Sequence, residues 1–155
     1  MRRLSRDERG FTLVELMVVI LIISILIAIA IPTFLGFKRS ADDIAAKEAG
    51  VLAVKTARTL ADDGTYGLVT GVVLGASQPD LSFVDGNVDS TGPSMVSQQV
   101  VGTNVFVAST FSRSGTCFFI WDDIDAGTRY GQISPVAAGD CQAANNGAVG
   151  FGPAW

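Results

Sequence analysis

The sequence predicts an α+β protein, in which the second half of a long N-terminal helix packs on a C-terminal antiparallel sheet of three to five strands. Three observations lead there. An apolar run from Leu16 to Ile31 reads LMVVILIISILIAIAI, with only Ser24 polar. The segment behind it keeps apolar and charged residues on opposite sides at about 100° per residue. From residue 64 onward the chain is rich in Gly, Ser, Thr and Val, with short β-branched and aromatic runs between turn residues.

On this reading the chain has four parts. Residues 1–10 are a charged leader, 11–35 an apolar helix, 36–63 its amphipathic continuation and 64–155 a β-rich globular region. Between Phe11 and Ile31 the one ionisable side chain is Glu15. At about 1.5 Å per residue this stretch reaches roughly 30 Å, the thickness of a bilayer core. Residues 1–10 hold Arg2, Arg3, Arg6 and Arg9 against Asp7 and Glu8, a net charge of +2. The remainder holds 7 basic and 13 acidic residues, a net charge of −6. A basic stub ahead of an apolar span stays in the cytoplasm, so the acidic remainder is the exported part. It has no basic face for nucleic acid.

The apolar helix is expected to be interrupted at Pro32, which lacks an amide hydrogen. Beyond it, Ala45, Ala49, Leu52, Ala53, Thr56 and Leu60 fall on one helical face, and Lys47, Glu48, Lys55, Arg58 and Asp62 on the opposite one. Asp43 stands one turn before Lys47, a favourable pairing distance. Gly50 weakens the helix by about 1 kcal/mol relative to Ala. Gly64, after Asp62 and Asp63, is a natural stop.

Strands are expected at Val105–Phe111 and Thr116–Trp121, joined by a Gly-containing turn at 112–115. Tyr130–Ser134 reads as a third strand, and Leu68–Leu74 and Leu81–Val84 as weaker ones. The Gly-rich tail from Ala143 reads as loosely held, except that Trp155 is suited to anchor on something apolar. Tyr66, Trp121 and Tyr130 read as packing residues.

Catalysis finds little support, and the chain reads as a non-enzyme without a cofactor. It contains no histidine, which removes Ser–His, Cys–His and histidine–metal chemistry. No glycine-rich phosphate loop follows a strand. Asp122, Asp123 and Asp125 could offer oxygens to calcium but lack the spacing of a calcium-binding hand, and a solvated turn is the preferred reading. The two cysteines, Cys117 and Cys141, lie in the exported part, where an even count reads as one disulfide. Two separate thiols are the alternative.

The junction Arg9-Gly10-Phe11-Thr12-Leu13-Val14-Glu15 carries the functional argument. A carboxylate inside an apolar span costs about 3 kcal/mol near a helix centre and calls for a cation. No Lys or Arg lies between Gly10 and Lys38. Cleavage after Gly10 would create a cation, the α-amine of Phe11. It would serve Glu15 of the same chain or of a neighbour. The plainer alternative leaves Glu15 at the edge of the span with no task.

The run GFTLVELMVVILIISILIAIAIP resembles the N-terminal motif of type IV prepilins and of the pseudopilins of type II secretion. The likeness is tight over residues 9–32 and looser to about Gly67. It implies cleavage of the Gly10–Phe11 bond by a membrane peptidase that also N-methylates Phe11. It implies an assembly role for Glu15 and a helix-loosening role for Pro32. Many members have a glycine midway along the span, where this chain has Ser24. The resemblance makes the Cys117–Cys141 bridge a clasp on the exposed subdomain. The partners it implies are further copies of the chain and other pilins, the prepilin peptidase/N-methyltransferase, the pilus assembly machinery and the lipid bilayer. The implied location is the cytoplasmic membrane, N-terminus inside, and then an extracellular pilus.

A type IV pilus subunit is the preferred reading, with a type II secretion pseudopilin or a monomeric membrane-tethered adhesion module as alternatives. Two blander readings fit less well. A signal peptide cut after Ala28-Ile29-Ala30 leaves the Gly-Phe-Thr-Leu-Val-Glu order unexplained, and the span exceeds the ~7–15 residues of a usual h-region. An inert anchor accounts for hydrophobicity but not for Glu15 beside a Gly–Phe junction.

Overall fold

The computed structural model describes residues 10–61, 64–137 and 139–155. The expected leader therefore lies outside the described residues except for Gly10, as do Asp62 and Asp63. The chain divides into two compact units, with the boundary between Lys38 and Arg39.

The first unit is helical. Helix α1 runs Leu13–Leu60 and continues into the second unit. Every residue from Gly10 to Ala41 is exposed, with Phe11 at 83% and Phe37 at 75%. The expected interruption at Pro32 does not occur, since the helix runs through that residue. Proline there removes one amide donor, the one to the Ala28 carbonyl, and the helix continues around it. Thr33 Oγ1 donates to the carbonyls of Ile29 (3.3 Å) and Ala30 (2.9 Å), and Ser24 Oγ donates to that of Ile20 (2.6 Å).

The second unit is built on a five-stranded sheet of order β1-β2-β3-β4-β5. Its strands are β1 Ser82–Asp85, β2 Met95–Val101, β3 Val105–Phe111, β4 Cys117–Asp123 and β5 Gly127–Ile133. The pairs from β2 to β5 are antiparallel, whereas β1 runs parallel to β2. The parallel pair departs from the expected antiparallel sheet. Segment 86–94 returns the chain to the start of β1, and buried Ser90 pins that return. Ser90 Oγ donates to the Met95 carbonyl (2.5 Å) and accepts from the Phe111 amide (2.8 Å).

Side chains alternate across each strand, so the sheet has two faces. Val96, Phe106, Ala108 and Ile120 form one face, packed against Ala49, Ala53, Val54 and Ala57 of α1. The other carries Cys117 and Phe119, covered by Cys141, Val149 and Phe151. The buried side of α1 is Ala46, Ala49, Gly50, Ala53, Val54, Thr56 and Ala57. That is a rotation from the expected face: Ala45 is exposed and Leu52 is 39% exposed. Small residues let helix and sheet approach closely. A Cβ on Gly50 would lie 3.1 Å from Ile120 Cδ1, which explains a glycine in mid-helix.

Polar ties fix the helix on the sheet. Thr110 Oγ1 donates to the Ala46 carbonyl (2.8 Å), and Ser114 Oγ donates to Asp43 Oδ1 (2.5 Å). Asp43 thus bonds the β3–β4 turn, and no Asp43–Lys47 ion pair forms among the described residues. Lys47 instead lies over the rings of Phe118 (4.8 Å) and Trp155 (5.3 Å).

Two further expectations are corrected. Residues Leu68–Leu74 are not a strand, because Gly71–Ser77 forms a short helix, α2, capped by Thr70. The tail is not loose: Ala143–Ala148 is a 3-10 helix, and Gly152 bridges to Tyr130.

Candidate processing and assembly site

The expected cleavage bond, Gly10–Phe11, lies just ahead of α1 in exposed backbone, and a Cβ on Gly10 would meet nothing within 4 Å. Thr12 follows and acts as the helix cap. Its hydroxyl accepts from the Glu15 amide (3.2 Å), while Glu15 Oε2 accepts from the Thr12 amide (2.9 Å) and hydroxyl (2.8 Å). This is a capping box, in which two backbone amides that a helix start leaves without partners are satisfied reciprocally. Its signal, Thr-x-x-Glu before an apolar run, is present in the sequence, yet the charge argument alone passes over it.

The capping box sets where the Glu15 carboxylate sits. It is bonded to the residue directly after Phe11, whose Cα is about 3.8 Å from that of Thr12. An α-amine at Phe11 would stand one residue before the amide from which this carboxylate accepts. Pro32 and Ser24 stand elsewhere on α1 and make no contact with this group.

The other expected sites lie in the second unit. Cys117 and Cys141 are bonded, with an S–S distance of 2.00 Å and 5.4 Å between Cα atoms, and no free cysteine remains among the described residues. The bridge joins the start of β4 to the segment that covers the back of the sheet.

Asp122, Asp123 and Asp125 do not come together. Asp122 and Asp123 are successive strand residues and point to opposite faces. Asp123 Oδ1 accepts from the amides of Asp125 (2.9 Å) and Ala126 (3.1 Å), closing the β4–β5 turn. Asp125 accepts from Asn104 Nδ2 (3.0 Å).

Asp122 is not in a solvated turn; it is fully buried against α1. Arg58 grips it twice, Nε to Oδ2 at 2.6 Å and Nη2 to Oδ1 at 2.8 Å. Thr128 Oγ1 donates to Oδ1 (2.5 Å), and the Tyr66 hydroxyl donates to Oδ2. Burial alone would raise the Asp122 carboxyl, but the bonds from Arg58, Thr128 and Tyr66 outweigh it and hold the group below the usual carboxylate range. Burial, reinforced by the Asp122 carboxylate, pushes the Tyr66 phenol up. Tyr66 is therefore more than packing. Its partners are too far along the chain for any spacing rule to have paired them.

Comparison with known proteins bears on the N-terminal segment. Residues 5–31 match the family model described as the prokaryotic N-terminal methylation motif. Type II secretion system protein H of Pseudomonas aeruginosa is 45% identical over 65 residues, which span 41% of this chain and 38% of that protein. The match thus covers well under half of that relative's length. No solved structure matches. The motif match overlaps the exposed apolar start of α1, and that helix continues onto a five-stranded sheet, an α+β arrangement consistent with a pilin fold.

Proposed function

We propose that this chain is a structural, non-catalytic subunit of a type IV pilus. It is made as a membrane precursor with its leader in the cytoplasm, cut between Gly10 and Phe11, N-methylated on Phe11 and polymerised through residues 11–35. The observation that carries the reading is the methylation motif at residues 5–31, whose apolar part forms the start of a helix long and apolar enough to cross a membrane. An exposed apolar surface of this kind needs lipid or other apolar helices around it. Moving it from lipid into a bundle exchanges one apolar contact for another, so packing and the pairing of Glu15 with a Phe11 amine set the register.

A second reading is favoured by one specific observation. The similarity to Type II secretion system protein H supports a pseudopilus subunit of a type II secretion-like system. The cysteine pair and the size of the C-terminal region are what favour the pilus.

The test is the mature N-terminus combined with sedimentation. A methylated Phe11 in sheared, pelletable material is expected, and Gly10→Val should leave a membrane-bound precursor that keeps its leader. An intact Met1 in monodisperse membrane extract would reject the filament in favour of a tethered module. Loss of surface filaments in a null strain supports the pilus, whereas loss of exoprotein secretion with surface filaments unchanged supports the pseudopilus.

A further inference from the structure

Residues 149–155 wrap around one edge of the sheet. They start on the back face, where Val149 and Phe151 pack against the disulfide side, Phe151 lying 5.9 Å from the Trp121 ring. At Gly152 they cross the outer edge of β5. The Tyr130 amide donates to the Gly152 carbonyl and the Gly152 amide to the Tyr130 carbonyl, each at 2.8 Å. They then reach the helix face, where the Trp155 ring lies edge-on to Phe118 at 5.1 Å and 5.1 Å from Tyr130.

The strand is shaped for this crossing. A Cβ at position 131 would stand 2.3 Å from Val149 Cγ1 and 3.0 Å from the Gly150 carbonyl oxygen, so only glycine lets the segment pass. Alternation directs the backbone groups of Thr128 and Gln132 to the same side as those of Tyr130. An uncovered edge of this kind is a template for another chain's strand. The cover itself is light: two glycines flank Phe151, and a single residue pair bonds it to β5. What keeps it in place is the aromatic anchor at each end and the upstream tether at Cys141, which holds its local concentration high.

We infer that residues 149–155 are a guard over the β5 edge, and that without them this edge pairs with the β5 edge of a second copy, independently of assembly through the N-terminal helix. The experiment uses the full chain in detergent micelles, compared with a variant lacking residues 149–155 and with Trp155→Ala. Deletion is expected to raise amide exchange at Tyr130 at least ten-fold in dilute, monomeric samples, with the disulfide closed, and to add at higher concentration a dimer in which Tyr130 is protected again. The heptapeptide VGFGPAW added in trans should restore protection of Tyr130 and dissolve that dimer. Unchanged Tyr130 exchange in the dilute deletion variant, no dimer at any concentration, or a dimer that the peptide leaves intact, would overturn the inference. Should the deletion unfold the sheet, Trp155→Ala decides. A rise of at least three-fold at Tyr130, with Phe119 and Ile120 amides as in the parent, supports a guard. An equal rise across β3, β4 and β5, or no rise at Tyr130, overturns it.

Discussion

Replacing Arg58 by Leu would leave Asp122 with its two hydroxyl donors but without a cation. Asp122 is fully buried, whereas the Arg58 side chain is 47% exposed, so the charge that loses most is the aspartate. Breaking a buried pair in this way usually costs about 3–5 kcal/mol. Water already reaches the guanidinium, which screens the pair and lowers the expected loss to about 2–4 kcal/mol at pH 7. A second consideration bounds the desolvation part. The carboxyl can escape by taking a proton, which from an unfolded value near 3.9 costs about 4 kcal/mol at pH 7.

In the parent the folded carboxyl lies below its unfolded value, so its contribution is present above about pH 4 and is lost as pH falls through the folded value. In Arg58→Leu burial dominates, the folded carboxyl rises above about 4, and stability declines as pH rises from there. The penalty should therefore grow between pH 4 and pH 7, being at most about half as large at pH 4. Urea unfolding of the full chain in micelles, followed by the fluorescence of Trp121 and Trp155, measures it. Equal penalties at the two pH values would refute the reasoning.

Four other outcomes are expected. The Tyr66 phenol is raised, so its contribution is present below about pH 10 and lost as pH climbs further; Tyr66→Phe should flatten alkaline unfolding above that point. Cys141→Ser should lower stability by about 2–5 kcal/mol, and two freely titrating thiols in the non-reduced parent would rule out the bridge. Gly50→Leu should cost about 1–3 kcal/mol by overpacking against Ile120, which thermal unfolding would show. Glu15→Val should be inserted and cleaved normally yet assemble poorly, because a Phe11 ammonium would enter an apolar bundle unpaired at a cost of several kcal/mol; Glu15→Asp should fall between. The ratio of sheared filament to membrane-retained mature subunit is the measure, and parental assembly by Glu15→Val would reduce Glu15 to a helix cap.

Much of the second unit is legible in sequence. β3 and β4 announce themselves as β-branched and aromatic runs around a turn whose Gly115 adopts φ +94°. β2 does not, because Ser97, Gln98 and Gln99 interrupt its apolar pattern; its polar residues are used as ties, Ser97 accepting from the Ala143 amide at 3.0 Å. α2 contains two valines and resembles a strand, but the Thr70 cap and the burial of Leu74 override that preference. The rotation of the buried face of α1 has a similar origin. Hydrophobic periodicity weights Leu52, whereas the sheet selects the row of smallest side chains. The methylation motif is legible because the order of its residues, Gly10, Phe11 and Glu15 among them, is local. The Asp122 cluster is not, since Arg58 and Tyr66 lie 64 and 56 residues away from it in the chain.

The ties between α1 and the sheet also define how a pull would travel through the second unit. Asp43 and Ala46 are bonded near one end of the contact and Arg58 near the other, a span of about 22 Å for fifteen helical residues. Tension applied along the helix axis would load both sets of bonds and the alanine contacts between them in shear. They would have to yield together, whereas a pull across the seam would peel them one at a time. The small-residue seam, bolted at each end, therefore resists longitudinal force far better than transverse force.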